Sequence, residues 1–248
     1  MEHITPDVLE RLRRYDTPTI CNLIELFEVR PRNAGYMDAR IRAVFPAFPP
    51  MVGFAATATF RSSAPPRGGD VYASTEEQVE RFAELPGPPV VVFQDLDSPT
   101  VAATFGEVMC TIYRSFGARG LITSGAGRDL DQVRDLAFPV FTEGVVASHG
   151  YCHIPHVHVP VHVGGIVVYP GDLLHGDRNG VTTVPREIVS ELLEIADEFV
   201  AAEAVVLEAL RGCEEPSVRL LREARAESGA RIERLRARVS RARGAAEA

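Results

Sequence analysis

The stretch PVVVFQDLDSPTVAATFGEVMCTIYRSFGARGLITSGAGRDLDQVRDLAFPVF (residues 89–141) decides the fold. PVVVFQ (89–94) is a short apolar run of the kind buried on both faces in a parallel sheet. A helix opens near Gly106-Glu107, carries Met109, Ile112 and Phe116 on one face, and stops at Gly117. GLITS (120–124) reads as a second strand. The loop Gly125-Ala126-Gly127-Arg128-Asp129 then leads into a helix with Leu130, Val133 and Ala137, and Pro139-Val140-Phe141 begins a third strand. The order β-α-β-α-β predicts an α/β fold with parallel strands joined by right-handed crossovers. Such sheets bind ligands at the carboxyl ends of their strands. Glu107 and Arg128-Asp129 follow strand ends and are expected at one crevice.

Outward from this core, Thr5-Pro6 and Thr17-Pro18 each read as a helix N-cap with proline in the first turn. Ile20, Leu23, Ile24 and Phe27 form an apolar stripe after the second. VGFAATATF (52–60) reads as a strand and SSAPPRGGD (62–70) as a loop. Residues 145–184 are strand-rich. HVHVPVHV (156–163) alternates, which predicts His156, His158 and His162 on one face. Asp177-Arg178-Asn179-Gly180 signals a hairpin turn. A long helix follows Pro185, its stripe Val189, Leu192, Ala196, Phe199, Val206 and Leu210 interrupted by one carboxylate, Glu203.

Composition narrows the chemistry. The 248 residues carry a net charge of −8, with 46% apolar and 24% charged residues, a balance suited to a globular domain. All 26 basic residues are arginine. Without lysine there is no Schiff-base aldolase, no covalent pyridoxal enzyme and no Walker-type phosphate loop. Carbonyl chemistry must then use arginine, histidine, carboxylates or a metal. The four cysteines are scattered, without a C-x-x-C pair, as expected of thiols in a reducing cytosol. The N-terminus lacks the apolar core of a signal peptide, and no run is long enough to span a membrane, so a cytoplasmic protein without a membrane partner is expected. Residues 217–248 hold nine Arg against four Glu, leaving −13 on residues 1–216. An acidic body argues against nucleic acid as a partner. The basic tail is expected as a helical or partly disordered extension (212–248) on a domain of residues 1–211, either solvated, docked on the body, or serving as a partner-binding arm.

Arg128-Asp129 suits an anionic oxo acid: the guanidinium grips an oxyanion and the carboxylate holds a hard cation. A helix cap is the competing reading for Asp129, and Glu107 could act only on the helix dipole. Gly125-x-Gly127 is not a dinucleotide fingerprint, because Leu130 stands where the third glycine belongs. Six of seven histidines fall between 149 and 175. The His-x-His spacing could bind zinc or iron, but no carboxylate or cysteine accompanies it at ligand spacing, so a polar surface face is the plainer reading.

FGEVM (105–109), GAGRD (125–129), PVF (139–141), PGDLLHGDRNGV (170–181) and Val184-Pro185 together resemble the RraA-like family, over roughly residues 15–211. That family includes divalent-metal-dependent 4-hydroxy-4-methyl-2-oxoglutarate aldolases. The resemblance implies a swivelling β/β/α domain assembled as homotrimers or homohexamers. It implies a class II, metal-dependent lyase that releases pyruvate from a small 2-oxo acid or decarboxylates an oxaloacetate-type acid through an enolate. By the same resemblance, Arg128 binds pyruvate and stabilises the enolate, and Asp129 ligates Mg²⁺ or Mn²⁺. Gly106, Glu107, Val108 and Met109 form the substrate-contacting turn, and Glu107 supports the metal through water. Glu203 reaches into a neighbouring subunit's site, although a local ion pair within its own chain is the competing reading. Ser148 to His153 are similar to an S-H-x-Y-x-H stretch in one branch, which adds His149 and His153 as further candidates. Asn22 stands where many members have Asp, and Phe105 where Trp is frequent. Two other functions stay open: a non-catalytic regulator acting by protein contact, as some members do on a ribonuclease, and a pathway-specific enzyme on a bulkier substrate.

Overall fold

Pro89–Asp95 extends because five consecutive residues, Pro89 to Phe93, are buried, and a run of valines packs best on a pleat covered on both sides. In the computed structural model, which describes residues 4–66 and 73–241, the elements in chain order are α1 (Pro6–Leu12), α2 (Thr17–Phe27), β1 (Arg42–Ala43), β2 (Met51–Phe60), α3 (Ala73–Glu80), β3 (Pro89–Asp95), β4 (Ala103–Phe105), α4 (Glu107–Ser115), β5 (Leu121–Thr123), β6 (Ala126–Gly127), α5 (Leu130–Asp135), β7 (Val140–Thr142), β8 (Gly144–Val145), β9 (Val161–Val163), β10 (Ile166–Val168), β11 (Leu173–Asp177), β12 (Gly180–Val184), α6 (Val189–Arg211) and α7 (Val218–Val239). The chain is an α/β protein. Part of the expected loop 62–70, residues 67–70, lies outside the described residues.

Two compact units divide the chain: Met1–Thr17 with Asn33–Arg186, and Pro18–Arg32 with Glu187–Ala248. The first holds a seven-stranded sheet in the order β1-β7-β5-β3-β2-β11-β12. β2, β3, β5 and β7 run parallel, as the βαβαβ reading predicts. β11 pairs antiparallel with both β2 and β12, and Arg178-Asn179 turns the β11–β12 hairpin. The period of two sorts the core. Val91, Phe93, Leu121 and Val140 face Met109, Cys110, Tyr113 and Val133 of α4 and α5. Val90, Val92, Ile122 and Phe141 face Val161, Val163 and Val168 of the β9–β10 hairpin. The sheet is therefore covered by helices on one face and strands on the other. Gln78 pins α3 to it, donating to the Ala56 carbonyl at 3.2 Å and accepting from the Tyr113 hydroxyl at 2.6 Å.

A second sheet escapes sequence reading: β4, β6 and β8 form a short parallel trio. The chain therefore visits the large sheet and then the small one at β3–β4, β5–β6 and β7–β8. Threonines tie the two sheets together. Thr123 Oγ1 donates to Thr104 Oγ1 at 3.2 Å, and Thr142 Oγ1 donates to the Gly125 carbonyl at 2.6 Å.

One expectation fails. His156, His158 and His162 do not share a strand face, because regular pairing covers only Val161–Val163 and His158 adopts a left-handed φ of 57°. That turn reverses the side-chain alternation before Pro160 is reached.

In the second unit, α6 buries Val189, Leu192, Ala196 and Phe199, the first half of the expected stripe. Glu203, Val206 and Leu210 are half-buried. α7 starts at a Ser217 cap whose hydroxyl accepts from the Leu220 N–H at 3.1 Å, and it buries Leu235 and Val239. α6 and α7, on either side of the expected 211/212 division, belong to the same unit. Arg238 pairs with Glu198 at 2.8 Å, and Arg241 with Glu191. Among the described residues no helix is long and apolar enough to cross a membrane.

Candidate active site

The small sheet sets the geometry of the candidate site. Phe105 ends β4 and Gly127 ends β6, and the two are register partners. They come close enough that a Cβ on Gly127 would sit 2.2 Å from the Phe105 ring. The Arg128 N–H donates to the Phe105 carbonyl at 3.0 Å, continuing the ladder by one residue. Asp129 then turns into the left-handed region at φ 55° and ψ 41°. A non-glycine residue there is uncommon, and aspartate is among the residues that tolerate it best.

This turn changes what Asp129 does. It occupies the N-cap position of α5, yet its side chain makes no capping bond to that helix. Its Oδ2 instead accepts from the backbone N–H of Glu107, the first residue of α4, at 3.0 Å. Arg128 Nε lies 3.7 Å from the same oxygen. Gly106 lets the three groups meet: a Cβ there would stand 2.5 Å from Asp129 Oδ2 and 3.1 Å from Arg128 Nε. Both side chains are about one-third exposed, at 33% and 38%.

These residues open into a cavity of about 880 Å³ in the first unit. Gly106, Val108, Met109, Arg128, Asp129 and His149 all line it. Glu107 contributes its backbone N–H, while the residue itself is exposed. The His149 Nδ1–H donates to the Gly150 carbonyl at 2.8 Å, which leaves Nε2 as the ring's acceptor. Cys152 Sγ, 3.8 Å from His149 Nδ1, also lines the cavity. His153 does not; its Nδ1–H donates to the Tyr151 carbonyl at 3.0 Å. Glu203 belongs to the second unit, where its Oε1 accepts from Asn22 Nδ2 at 3.4 Å. Burial pushes the thiol of Cys110, on the core face of α4, far above its ordinary range, with the Asp129 charge adding to the effect, so Cys110 stays a neutral core group.

Sequence reasoning missed the cavity's apolar half. Val79, Phe105, Ile112 and Phe116 line it, and so does Thr75. Met109, Ile112 and Phe116 do share a helix face, as their spacing predicts, but Phe116 is 61% exposed. The face is only partly covered.

The profile of the RraA-like family (Aldolase/RraA) matches residues 17–183, about two-thirds of the chain. The chain belongs to the Aldolase/RraA family. A relative from Halalkalibacterium halodurans, provisionally named a 4-hydroxy-4-methyl-2-oxoglutarate aldolase, is 31% identical over 116 residues, covering 46% of this chain and 54% of that protein. An uncharacterised Methanocaldococcus jannaschii protein is 34% identical over 98 residues, 39% of this chain and 47% of the other. The matched region thus spans about half the length of these curated relatives. Among solved structures, an uncharacterised Pseudomonas syringae protein shares the fold at a TM-score of 0.69 and 23% identity, over 91% of this chain and 97% of that one. A Streptomyces coelicolor protein described as an unusual member of the RNase ES inhibitor RraA family superposes at 0.64 with 25% identity, over 81% and 96% of the two chains.

Proposed function

We propose that this Aldolase/RraA member is a divalent-metal-dependent lyase that cleaves a C–C bond of a 2-oxo acid and releases a pyruvate-type enolate. The observation that carries the reading is the convergence of Arg128, Asp129 and the N-terminus of α4 on one cavity, with Asp129 held there in a left-handed turn rather than spent on its own helix.

The donor set supports a hard divalent cation. Among the described residues no group of three His, Cys, Asp or Glu could hold a metal. Zinc or iron sites need three or more protein ligands. Mg²⁺ and Mn²⁺ are hard cations, and Mg²⁺ binds through one or two carboxylates while keeping other ligands from water or substrate. Asp129 supplies one such carboxylate, with Glu107 adjacent. When bound, the cation would act as a Lewis acid toward the substrate's oxo group.

The chain's own groups do the rest. The Arg128 guanidinium takes the substrate carboxylate in a two-pronged bond. The N–H groups in the first turn of α4, at Val108 and Met109, present the positive end of the helix to the developing enolate oxygen. A carboxylate accepts the proton of the 4-hydroxyl: Glu107, or Glu203 supplied by an adjacent subunit. His149, with Nε2 free to accept, is a further acceptor lining the same cavity. Pyruvate release from 4-hydroxy-4-methyl-2-oxoglutarate or oxaloacetate in the presence of Mg²⁺ tests the reading. Arg128→Ala or EDTA should abolish it, and undiminished turnover after either treatment would sink the mechanism.

The likeness to the Streptomyces RraA protein favours a second reading, a regulator acting by protein contact. Absence of pyruvate release from every 2-oxo acid tested would select it.

A further inference from the structure

The apolar half of the cavity is not needed by a small oxo acid. Val79 of α3 faces Val108, Met109 and Ile112 of α4 across it, with Phe116 just beyond the helix end. Val108 is 74% exposed and Phe116 61%, yet both turn toward this common space. The volume of about 880 Å³ lies in the upper part of the roughly 300–1,000 Å³ range of pockets that hold drug-sized ligands.

Charge and hydrogen bonding narrow the occupant. Among the described residues the cation lining the cavity is Arg128, beside Asp129, whereas Glu76 and Glu80 stand on the α3 side. A second carboxylate lodged toward α3 would meet like charge there. Thr75, 5% exposed, lines the same side, and its buried Oγ1 has no hydrogen-bond partner among the described residues. Buried hydroxyls are nearly always paired, so this one calls for a partner.

We propose that the preferred substrate is a 4-hydroxy-2-oxo monocarboxylate whose C4 carries a bulky, uncharged and largely apolar substituent. Its carboxylate sits on Arg128 and its substituent lies between α3 and α4, with an uncharged polar atom at Thr75. This assignment rests on the lyase reading and adds the substrate class. In the step it implies, the 4-hydroxyl loses its proton and C4 becomes a carbonyl carbon as the C3–C4 bond breaks. The electron pair passes into the pyruvate enolate, C3 takes a proton, and the products are pyruvate and an apolar aldehyde. The dicarboxylate in the Halalkalibacterium relative's name places a second charge where this cavity is apolar and acidic.

Calorimetric titration of the full chain with Mg²⁺ tests binding apart from turnover. Phenylpyruvate should bind at least about 10-fold tighter than 2-oxoglutarate, in line with burial of a phenyl group. Val108→Arg, at a position exposed enough to accept it, should cancel that preference. Pyruvate should be released from 4-hydroxy-2-oxo-4-phenylbutanoate faster than from 4-hydroxy-4-methyl-2-oxoglutarate. Equal or reversed preference, with pyruvate still released from the dicarboxylate, overturns the substrate class and leaves the lyase reading intact. Tighter phenylpyruvate binding with no pyruvate from either acid keeps the ligand class and removes the lyase reading. If no 2-oxo acid binds and Val108→Arg instead changes the sedimenting species, the wall is covered by a second copy and the proposal falls.

Discussion

Gly106→Ala separates the chemistry of the candidate site from the stability of the fold. Gly106 has an extended backbone, φ −153° and ψ −169°, that any residue can adopt, so alanine introduces no backbone strain. The added methyl would instead lie 2.5 Å from Asp129 Oδ2 and 3.1 Å from Arg128 Nε, where ordinary contact begins near 3.4 Å. Asp129 must retreat by roughly 0.9 Å, which breaks its 3.0 Å bond from the Glu107 N–H. A misplacement of about 1 Å costs on the order of 100-fold in rate, or about 2.7 kcal/mol of barrier. The stability cost is smaller, because both displaced side chains are one-third exposed and can move into water. Loss of a cap-type bond is worth about 1 kcal/mol, a fall in Tm of about 2–4 °C for a chain of this size. Gly144→Ala is the control, since among the described residues a Cβ there would meet nothing within 4 Å beyond its own chain neighbours. The assay is kcat/KM for pyruvate release beside a thermal melt of each variant. Gly106→Ala retaining more than about a third of wild-type kcat/KM would refute the claim that this glycine makes room for a working Arg128–Asp129 pair.

Two further outcomes follow from the same structure. His175 is fully buried, accepting from the Thr17 hydroxyl at Nδ1 (2.9 Å) and donating from Nε2 to the Leu12 carbonyl (3.2 Å), and burial holds its pKa below the usual imidazole value. The unfolded chain then binds the extra proton first, so this contribution to stability is complete above about pH 6.5 and lost as pH falls below it; urea midpoints at pH 7.5 and 5.5 should fall more for wild type than for His175→Gln, and equal falls would count against the assignment. For assembly, Val200 and Leu207 leave apolar surface exposed on α6 near Glu203; if Glu203 completes a neighbour's site, specific activity should drop on dilution in step with the mass measured by light scattering, and a fully active monomer rules the shared site out.

The large sheet was legible because its strands are long apolar runs or are bracketed by glycine and proline. PVVVFQ, GLITS and PVF could be read as buried parallel strands without any partner in view, and they pair in that order. The small sheet was not legible. β6 and β8 have two residues each and β4 three, too few for any period to show, and Ala-Gly and Gly-Val carry little strand preference. These strands exist because threonines 104, 123 and 142 fasten them to the large sheet, a tertiary effect with no local signature. The histidine alternation misled for the opposite reason: a regular pattern was present, and one left-handed residue, His158, cancelled it.

The candidate site shows the same division. Arg128 and Asp129 stood out by residue type and position, a guanidinium beside a carboxylate after a strand, although a helix cap competed as a reading of Asp129. Sequence offered two fates for Asp129, a cap of its own helix or a ligand-binding group, and in the structure its side chain makes no bond to its own helix. Asp129 caps a helix, but it is α4, whose first residue is 22 positions earlier. That bond requires the left-handed turn, the turn follows from where β6 ends, and β6 is set by its pairing with β4. Helical spacing likewise identified Met109, Ile112 and Phe116 as one face, but periodicity reports which side chains point together and not what covers them. The cover is α3, which is held in place by Gln78 bonding a strand carbonyl and the Tyr113 hydroxyl. The Arg128–Asp129 end of the candidate site thus has a local sequence signal, whereas Glu76, Glu80 and the apolar volume join it only where α3 and α4 face each other across the cavity.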